Sequence, residues 1–207
     1  MNYRLQDIMK MIIPGLYLMA LVLGYEFLCS DFDIDTAKLK DLSAIVVLLI
    51  PFVGFVVGYF VECITAGLEH GWYALGGRRP SKNILEGSSI YPVADIEKIN
   101  TKHQISNGSI TNDKANEALQ AAKQSISNKE VVEPYRNNAA LARNIFGAQL
   151  IFTVLLAVLL DAFYTEVYWY LSLVVLLAFL GYWVHHNHVY VKYVLAEYAN
   201  LHYSHSS

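Results

Sequence analysis

Four long apolar runs constrain the fold of this chain more than any other feature of its sequence. They cover Met11–Leu28, Leu42–Glu62, Ile145–Phe163 and Val167–Val184. Each run is close to the roughly 20 residues that a helix needs to cross a bilayer. A buried soluble helix seldom stays apolar on every side for that length. The sequence therefore predicts an all-α integral membrane protein, a four-helix bundle with helical cytoplasmic extensions.

The first run has an alternative interpretation as a cleaved signal peptide, and the distribution of basic residues orients the spans. No small-residue cleavage site follows the run, so we expect it to remain as a span. Of the 15 lysines and arginines, Lys38 and Lys40 lie in the first connection and none lies in the third. Basic residues concentrate on the cytoplasmic side of a membrane. We therefore expect a multi-pass protein of the inner (plasma) membrane with both termini in the cytoplasm.

The spans and the more polar stretches between them divide the chain into four predicted segments. In order, these are transmembrane helices 1 and 2, a cytoplasmic helical segment, transmembrane helices 3 and 4, and a cytoplasmic amphipathic C-terminal helix, at residues 1–76, 77–133, 134–186 and 187–207. In the second segment, apolar residues recur at helical spacing over Pro92–His103 and Thr111–Ile126. Their apolar faces are thin, so we expect a helical hairpin that leans on its neighbours or on other subunits, not an independent enzyme domain.

Spans two, three and four are predicted to extend into the cytoplasm as stalks. The stalk of span two runs through Glu62, Glu69, His70 and Trp72 and stops at Gly76-Gly77, and two further helices form the other stalks. One begins near Pro134, where proline suits the first helical position, and runs directly into span three. The other extends span four past His185 and carries an amphipathic stripe made of Val191, Val194, Leu195, Tyr198 and Leu201. Aromatic residues, Tyr17 among them, are assigned mostly to belts at the span ends.

Polar and small residues inside the spans are the first candidate site. Gln149 and Thr153 lie four apart and so share one helix face. They either hydrogen-bond to a neighbouring helix or line a pore formed by several subunits. Gly54 and Gly58 form a small-xxx-small pattern that lets helix backbones approach closely, which predicts close packing and suggests a subunit contact.

The predicted cytoplasmic interface is the second candidate site, and it comprises Arg136, Arg143, His185 and His188. His185 and His188 share a helix face, and Glu62, Glu69 and His70 are candidates to join them around a metal. The alternative, which we favour, is that these polar residues mark the membrane boundary. The sequence has no G-x-S-x-G, no H-E-x-x-H and no phosphate-binding glycine loop with a lysine. We therefore expect no catalytic residue, metal or cofactor.

Three functions remain open on these features. The first is a homo-oligomer whose cytoplasmic stalks sense a signal or protein partner and gate or perturb the membrane. The second is a passive anchor or scaffold for a cytoplasmic partner, and the third is a membrane-surface metalloenzyme. The net charge of −3 gives no indication of direct nucleic-acid binding. In its layout of four spans around one cytoplasmic segment, the chain resembles the small multi-pass accessory proteins found beside bacterial antiviral systems, including type VI CRISPR loci. That resemblance implies an effector in antiviral defence.

Overall fold

Every secondary-structure element in the described part of the chain is a helix, which confirms the predicted all-α class. The computed structural model describes residues 5–29, 36–75, 77, 79–87, 96–103, 110–126, 129–158 and 165–203. A single 3-10 turn occupies Lys129–Val131. The α-helices are α1 (Leu5–Cys29), α2 (Thr36–Ala74), α3 (Pro80–Leu85), α4 (Ile96–Lys102), α5 (Asn112–Ser125), α6 (Glu133–Val158) and α7 (Thr165–Tyr203).

Four of these helices are long and apolar enough to cross a membrane. Within the described residues, the candidate spans are Ile8–Phe27, Leu49–Ala74, Glu133–Val158 and Val167–His202. α2 and α7 have 39 residues each. At 1.5 Å per residue such a helix is about 58 Å long, well beyond the roughly 30 Å of hydrocarbon in a bilayer. The chain is thus a helical membrane protein whose second and last helices exceed the length of a span.

The chain forms two compact units, and three helices contribute residues to both. The bundle unit comprises Met1–Gly67 and Ala140–Trp183, and the hairpin unit comprises Leu68–Ala139 and Val184–Ser207. The divisions between them fall inside α2, α6 and α7, whereas the segments predicted from the sequence end at residues 76, 133 and 186.

Close backbone packing joins α1 to α2 in the bundle unit. A β-carbon added to Gly15 would collide with the carbonyl oxygen of Gly54, and one added to Gly58 would collide with that of Met11. Gly54 itself faces the side chain of Leu16. The predicted close packing through Gly54 and Gly58 therefore occurs between two helices of the same chain. This surface packs against α1 in the described part of the chain, and a subunit contact through it stays a prediction.

The core of the hairpin unit combines the short helices with the last helix. Its buried residues come from α3, α4 and α5, from the connections beside them and from α7, and they are Ile84, Leu85, Ile99, Ile110, Ala115, Ala118, Leu119, Ala122, Ile126, Val132, Val191, Val194, Leu195, Tyr198 and Ala199. α3 also packs against α5. The α7 residues thus supply about a third of the core.

The two short helices predicted in the central segment are present. α4 covers Ile96–Lys102, while residues 92–95 of the predicted helix lie outside the described part of the chain. α5 begins after Thr111, whose hydroxyl oxygen accepts a hydrogen bond from the backbone N–H of Lys114 at 3.3 Å. Such an N-cap satisfies a backbone donor that the first helical turn leaves unpaired.

The predicted apolar stripe of α7 needs one correction. Val191, Val194, Leu195 and Tyr198 are buried as expected, but Leu201 is 42% exposed. Ala199 is buried in its place. The buried face therefore ends with Ala199, which lies one helical turn beyond Leu195 on the same face.

Candidate functional site

Gln149 and Thr153 form the centre of a polar cluster inside the bundle unit. The Gln149 side chain is 2% exposed, and its Nε2 donates to Ser172 Oγ at 2.8 Å and to the Ser172 carbonyl oxygen at 3.3 Å. Its Oε1 accepts from the Tyr17 hydroxyl at 2.5 Å. The cluster thus connects α6 with both α1 and α7, and Gln149 makes three hydrogen bonds to other helices.

Thr153 completes the cluster one helical turn further along α6. Its Oγ1 donates to the Gln149 carbonyl oxygen at 2.8 Å and lies 2.7 Å from Ser172 Oγ. Buried polar groups are costly unless they are hydrogen-bonded, and this applies with particular force where lipid excludes water. The geometry matches the first alternative, in which Gln149 and Thr153 hydrogen-bond to a neighbouring helix. Because both side chains contact helices of their own chain, it provides no support for the pore-lining alternative.

Two members of this cluster were not identified from the sequence. Ser172 is buried within the apolar run Val167–Val184, and a polar residue inside such a run is a signal that the sequence does carry. Tyr17, assigned to the aromatic belt, instead places its hydroxyl on Gln149. Tyr17 is the tenth residue of the span Ile8–Phe27, which is the middle of that helix rather than its end.

A second polar layer joins α1, α2 and α6 in the bundle unit. Arg143 forms an ion pair with Glu62, with its Nη2 3.4 Å from the Glu62 Oε1. The fully buried Asn144 donates to the Lys10 carbonyl oxygen at 3.3 Å and accepts from the Thr65 hydroxyl at 3.3 Å. Arg143, predicted to belong to a cytoplasmic interface, is therefore mostly covered and satisfied within its own chain.

The remaining predicted interface residues lie in the hairpin unit. His188 has Nδ1 2.8 Å from the Val184 carbonyl oxygen and Nε2 3.4 Å from Asn83 Nδ2. The ring of His185 lies edge-on to that of His186, with centroids 5.2 Å apart. Among the residues that the structure describes, no group of three His, Cys, Asp or Glu side chains could hold a metal ion. Arg136 has a half-exposed side chain and forms an ion pair with Glu133 at 3.3 Å.

Cations and tyrosine rings come together in the hairpin unit in a way the sequence did not indicate. The Arg79 guanidinium lies 4.7 Å from the centroid of the Tyr73 ring, and the Lys123 ammonium lies 5.3 Å from that of Tyr190. Burial lowers the pKa of Lys123, and the positive charges of Arg136 and Arg79 lower it further, while Glu69 acts in the opposite direction. We call Arg79, Lys123 and Arg136 the basic cluster.

Side-chain amides hold the tyrosine and the arginine of this region in place. Asn187 donates to the Tyr73 hydroxyl at 3.2 Å and to Glu69 Oε1 at 3.4 Å. Arg79 donates from Nη1 to Asn116 Oδ1 at 3.4 Å, whereas its buried Nε has no hydrogen-bond partner among the described residues. Contacts between α2, α5 and α7 bring these residues together across more than 100 positions of sequence, so no local motif encodes them.

The basic cluster offers positive charge and aromatic faces to a ligand. Two of its cations are held against aromatic rings, Glu69 opposes their charge, and Glu133 pairs with Arg136. Such a region is suited to carboxylates or phosphates. No family model, curated protein or solved structure matches the chain.

Proposed function

We propose that the chain is a membrane-embedded receiver, in which the hairpin unit lies in the cytoplasm and binds a partner, and the bundle unit responds. The observation that carries the proposal is the sharing of helices. α2, α6 and α7 contribute residues to both units, and α7 supplies part of the hairpin core. A partner that alters the packing of that core therefore acts on helices that also cross the membrane.

The basic cluster is the surface we propose for the partner. Arg136 is the most accessible of its three cations, with 54% of its side chain exposed. Lys123 and Arg79 add positive charge that Glu69 opposes. An acidic protein segment matches such a surface, since complementary charge accelerates encounter and fixes orientation. The proposed role is non-enzymatic.

We further propose that the protein assembles into a homo-oligomer and that partner binding opens or perturbs the membrane. The support is the apolar outer surface of α2, where large side chains are exposed at Phe52, Phe55, Tyr59 and Phe60. Lipid or a second subunit covers such a surface in a membrane. Self-assembly of identical chains commonly closes into cyclic symmetry.

The experiment compares binding, mass and leakage on one preparation. The full-length protein is reconstituted into dye-loaded liposomes and exposed to acidic peptides, and its particle mass is measured in parallel. We expect an oligomer, binding that weakens with salt, and dye release on binding. Arg136→Glu should weaken binding, whereas Lys129→Glu, at an exposed lysine outside the cluster, should weaken it less.

The passive anchor is the second candidate, and the same experiment distinguishes it. If the protein binds its partner, as an oligomer or as a monomer, and the liposomes never leak, the passive anchor would be favoured and the proposed response of the bundle unit would be excluded. A strictly monomeric particle would exclude the proposed homo-oligomer. A stoichiometric transition metal, lost in His185→Ala and His188→Ala, would instead favour the metalloenzyme.

The layout resemblance to accessory proteins of bacterial antiviral systems supplies a setting for the proposal. In that setting, expression together with an active defence system should slow growth or limit phage replication. Arg136→Glu should abolish the effect while leaving the protein in the membrane. If the variant protects as well as the wild type, defence does not depend on the basic cluster.

A further inference from the structure

A cavity of about 310 Å³ lies inside the bundle unit between α1, α6 and α7. Its floor is the polar cluster of Tyr17, Gln149 and Ser172, and its walls are otherwise apolar, with Leu21, Phe152 and Val175 among them. The cavity extends along α1 from Tyr17 to Tyr25. Eight residues of helix correspond to about 12 Å. It is therefore an elongated slot in the part of the protein that lies within the membrane.

Small residues of α1 keep this slot open. Ala20 and Gly24 are one helical turn apart and both line it, and a β-carbon added to Gly24 would meet no atom within 4 Å. The far end is framed by Tyr25, whose ring packs edge-on against the rings of Phe152 and Tyr168 at centroid distances of 6.5 and 6.3 Å. The slot thus has a defined floor and a defined end.

The hydrogen-bond donors of Tyr17 and Gln149 in the polar floor are already engaged. The Tyr17 hydroxyl and both Gln149 amide hydrogens are directed to partners inside the cluster. A mostly apolar cavity whose polar floor is already paired offers ordered water few partners. Its volume falls near the lower end of the roughly 300–1,000 Å³ range of small-molecule sites, so it has room for a slender apolar ligand.

The slot is open towards the outside of the bundle. Ala20, Gly24 and Leu171 line it and are also exposed, with Leu171 60% accessible. In a bilayer the medium at that opening is lipid, whose flexible chains match an elongated apolar slot in shape and polarity. Filling the slot restores the dispersion contacts that its lining otherwise lacks.

We propose that this slot is a binding site for one acyl chain of a membrane phospholipid, which enters from the side between α1 and α7. The chain lies along Ala20 and Gly24, and its methyl end points towards the polar floor. The site belongs to the bundle unit alone and does not depend on the proposed receiver function.

Photolabelling of the full-length protein tests this site. The protein is reconstituted into bilayers containing a phosphatidylcholine with a diazirine in one acyl chain, irradiated and mapped by mass spectrometry. We expect labelled residues to concentrate on the slot lining. Gly24→Leu should fill the slot and reduce labelling there several-fold. Gly181→Leu is the matched control, because Gly181 also has open space around it but does not line the slot, and it should leave slot labelling unchanged.

Further variants and probes keep the result interpretable. If Gly24→Leu fails to fold, Ala20→Leu addresses the same slot from the preceding turn. Equal labelling of the slot in a folded filling variant and in the wild type would overturn the proposal. So would labelling confined to a diazirine fatty acid used in place of the phospholipid, since the ligand would then be a free fatty acid. Labelling spread evenly over all exposed membrane residues would indicate ordinary solvation by lipid and would equally overturn it.

Discussion

A single glutamine shows how one polar residue determines the arrangement of three apolar helices. Lipid offers no hydrogen-bond partner, so the Gln149 amide has to find its partners within the protein. Tyr17 and Ser172 supply them from α1 and α7. Apolar contacts alone specify the rotation of a membrane helix weakly, because lipid chains are as apolar as the side chains they replace. Gln149 fixes that rotation.

Gln149→Leu should therefore destabilise the bundle unit. The change leaves the Tyr17 hydroxyl and the Ser172 hydroxyl with fewer partners, and interhelical hydrogen bonds in membranes contribute about 0.6–2 kcal/mol. Thermal unfolding in detergent should show a lower Tm. Thr153→Val should have a smaller effect, because it removes one interhelical hydrogen bond, to Ser172, where Gln149→Leu removes three. An unchanged Tm in Gln149→Leu would contradict the assigned role.

His103 makes the stability of the hairpin unit depend on pH. Burial, reinforced by the Lys102 charge, lowers the pKa of His103 below its ordinary value of 6.5. The unfolded chain then binds the proton more readily, so stability falls as pH drops from 6.5 through the folded-state pKa and levels off below it. Tm measured between about pH 5 and 8 should show this loss.

His103→Gln should remove that part of the pH dependence. His70→Gln, at an exposed histidine of the same unit, should retain it. The same slope in His103→Gln as in the wild type would assign the pH dependence to another group.

At the scale of the element, α7 has two different environments along one helix. Its first part places Ser172 in the polar cluster of the bundle unit, and its last part places Leu195 and Tyr198 in the core of the hairpin unit. The short helices α3, α4 and α5 have too few large apolar residues to form a core by themselves. The last helix supplies the missing apolar surface.

Leu195→Ala should destabilise the hairpin unit strongly. Leu195 is fully buried, and truncating a buried leucine to alanine costs about 2–5 kcal/mol. Leu201→Ala is the matched control on the same helix, because Leu201 is exposed and surface changes usually stay within about 0.5 kcal/mol. Amide hydrogen exchange of α5 should accelerate in the first variant and stay unchanged in the second. Equal exchange in the two variants would show that α7 does not support α5.

The glycines of α2 yield a prediction about the monomer. Gly58→Leu places a side chain against the backbone of Met11 and should separate α1 from α2, at a cost of about 1–3 kcal/mol or more. Gly67→Leu, in the same helix, has open space around it and should be neutral or slightly stabilising, because glycine is a poor helix former. Thermal unfolding of both variants tests this. A Gly58→Leu protein with normal Tm and a smaller particle mass would instead indicate that Gly58 forms a subunit contact.

The sequence predicts the elements well and their partners poorly. Apolar length identifies the four spanning helices, and apolar spacing identifies α5 together with its buried residues Ala115, Leu119 and Ala122, because both signals are local. The contacts of Gln149, Gly58 and Arg143 depend on which helix lies opposite, and no local pattern carries that information. No local pattern identifies Lys123 either, since its environment is made by Glu69 on α2, Arg136 on α6 and Arg79 just before α3.

For the whole molecule, membrane orientation is the property on which the proposed function depends. Basic residues favour a cytoplasmic location for both termini and for the hairpin unit. Reporter fusions at Ser207 and near Asp33 should read cytoplasmic and external, respectively; both positions lie outside the described residues. A fusion after Lys102 should agree with Ser207. The opposite pattern would move the basic cluster outside the cell and exclude a cytoplasmic partner.

The core of the hairpin unit also has a consequence for biosynthesis. Ile84 and Leu85 are translated about 110 codons before Leu195, yet all three are buried in the same interior. Two further membrane segments have to be made and inserted in between. Throughout that interval the core of the nascent segment lacks the α7 side chains that complete it. Its exposed apolar residues make it a natural client for chaperones and a target for proteases. A premature stop codon between His188 and Leu195 should therefore act as a folding lesion in the middle of the chain, because it removes most of the α7 residues of this core.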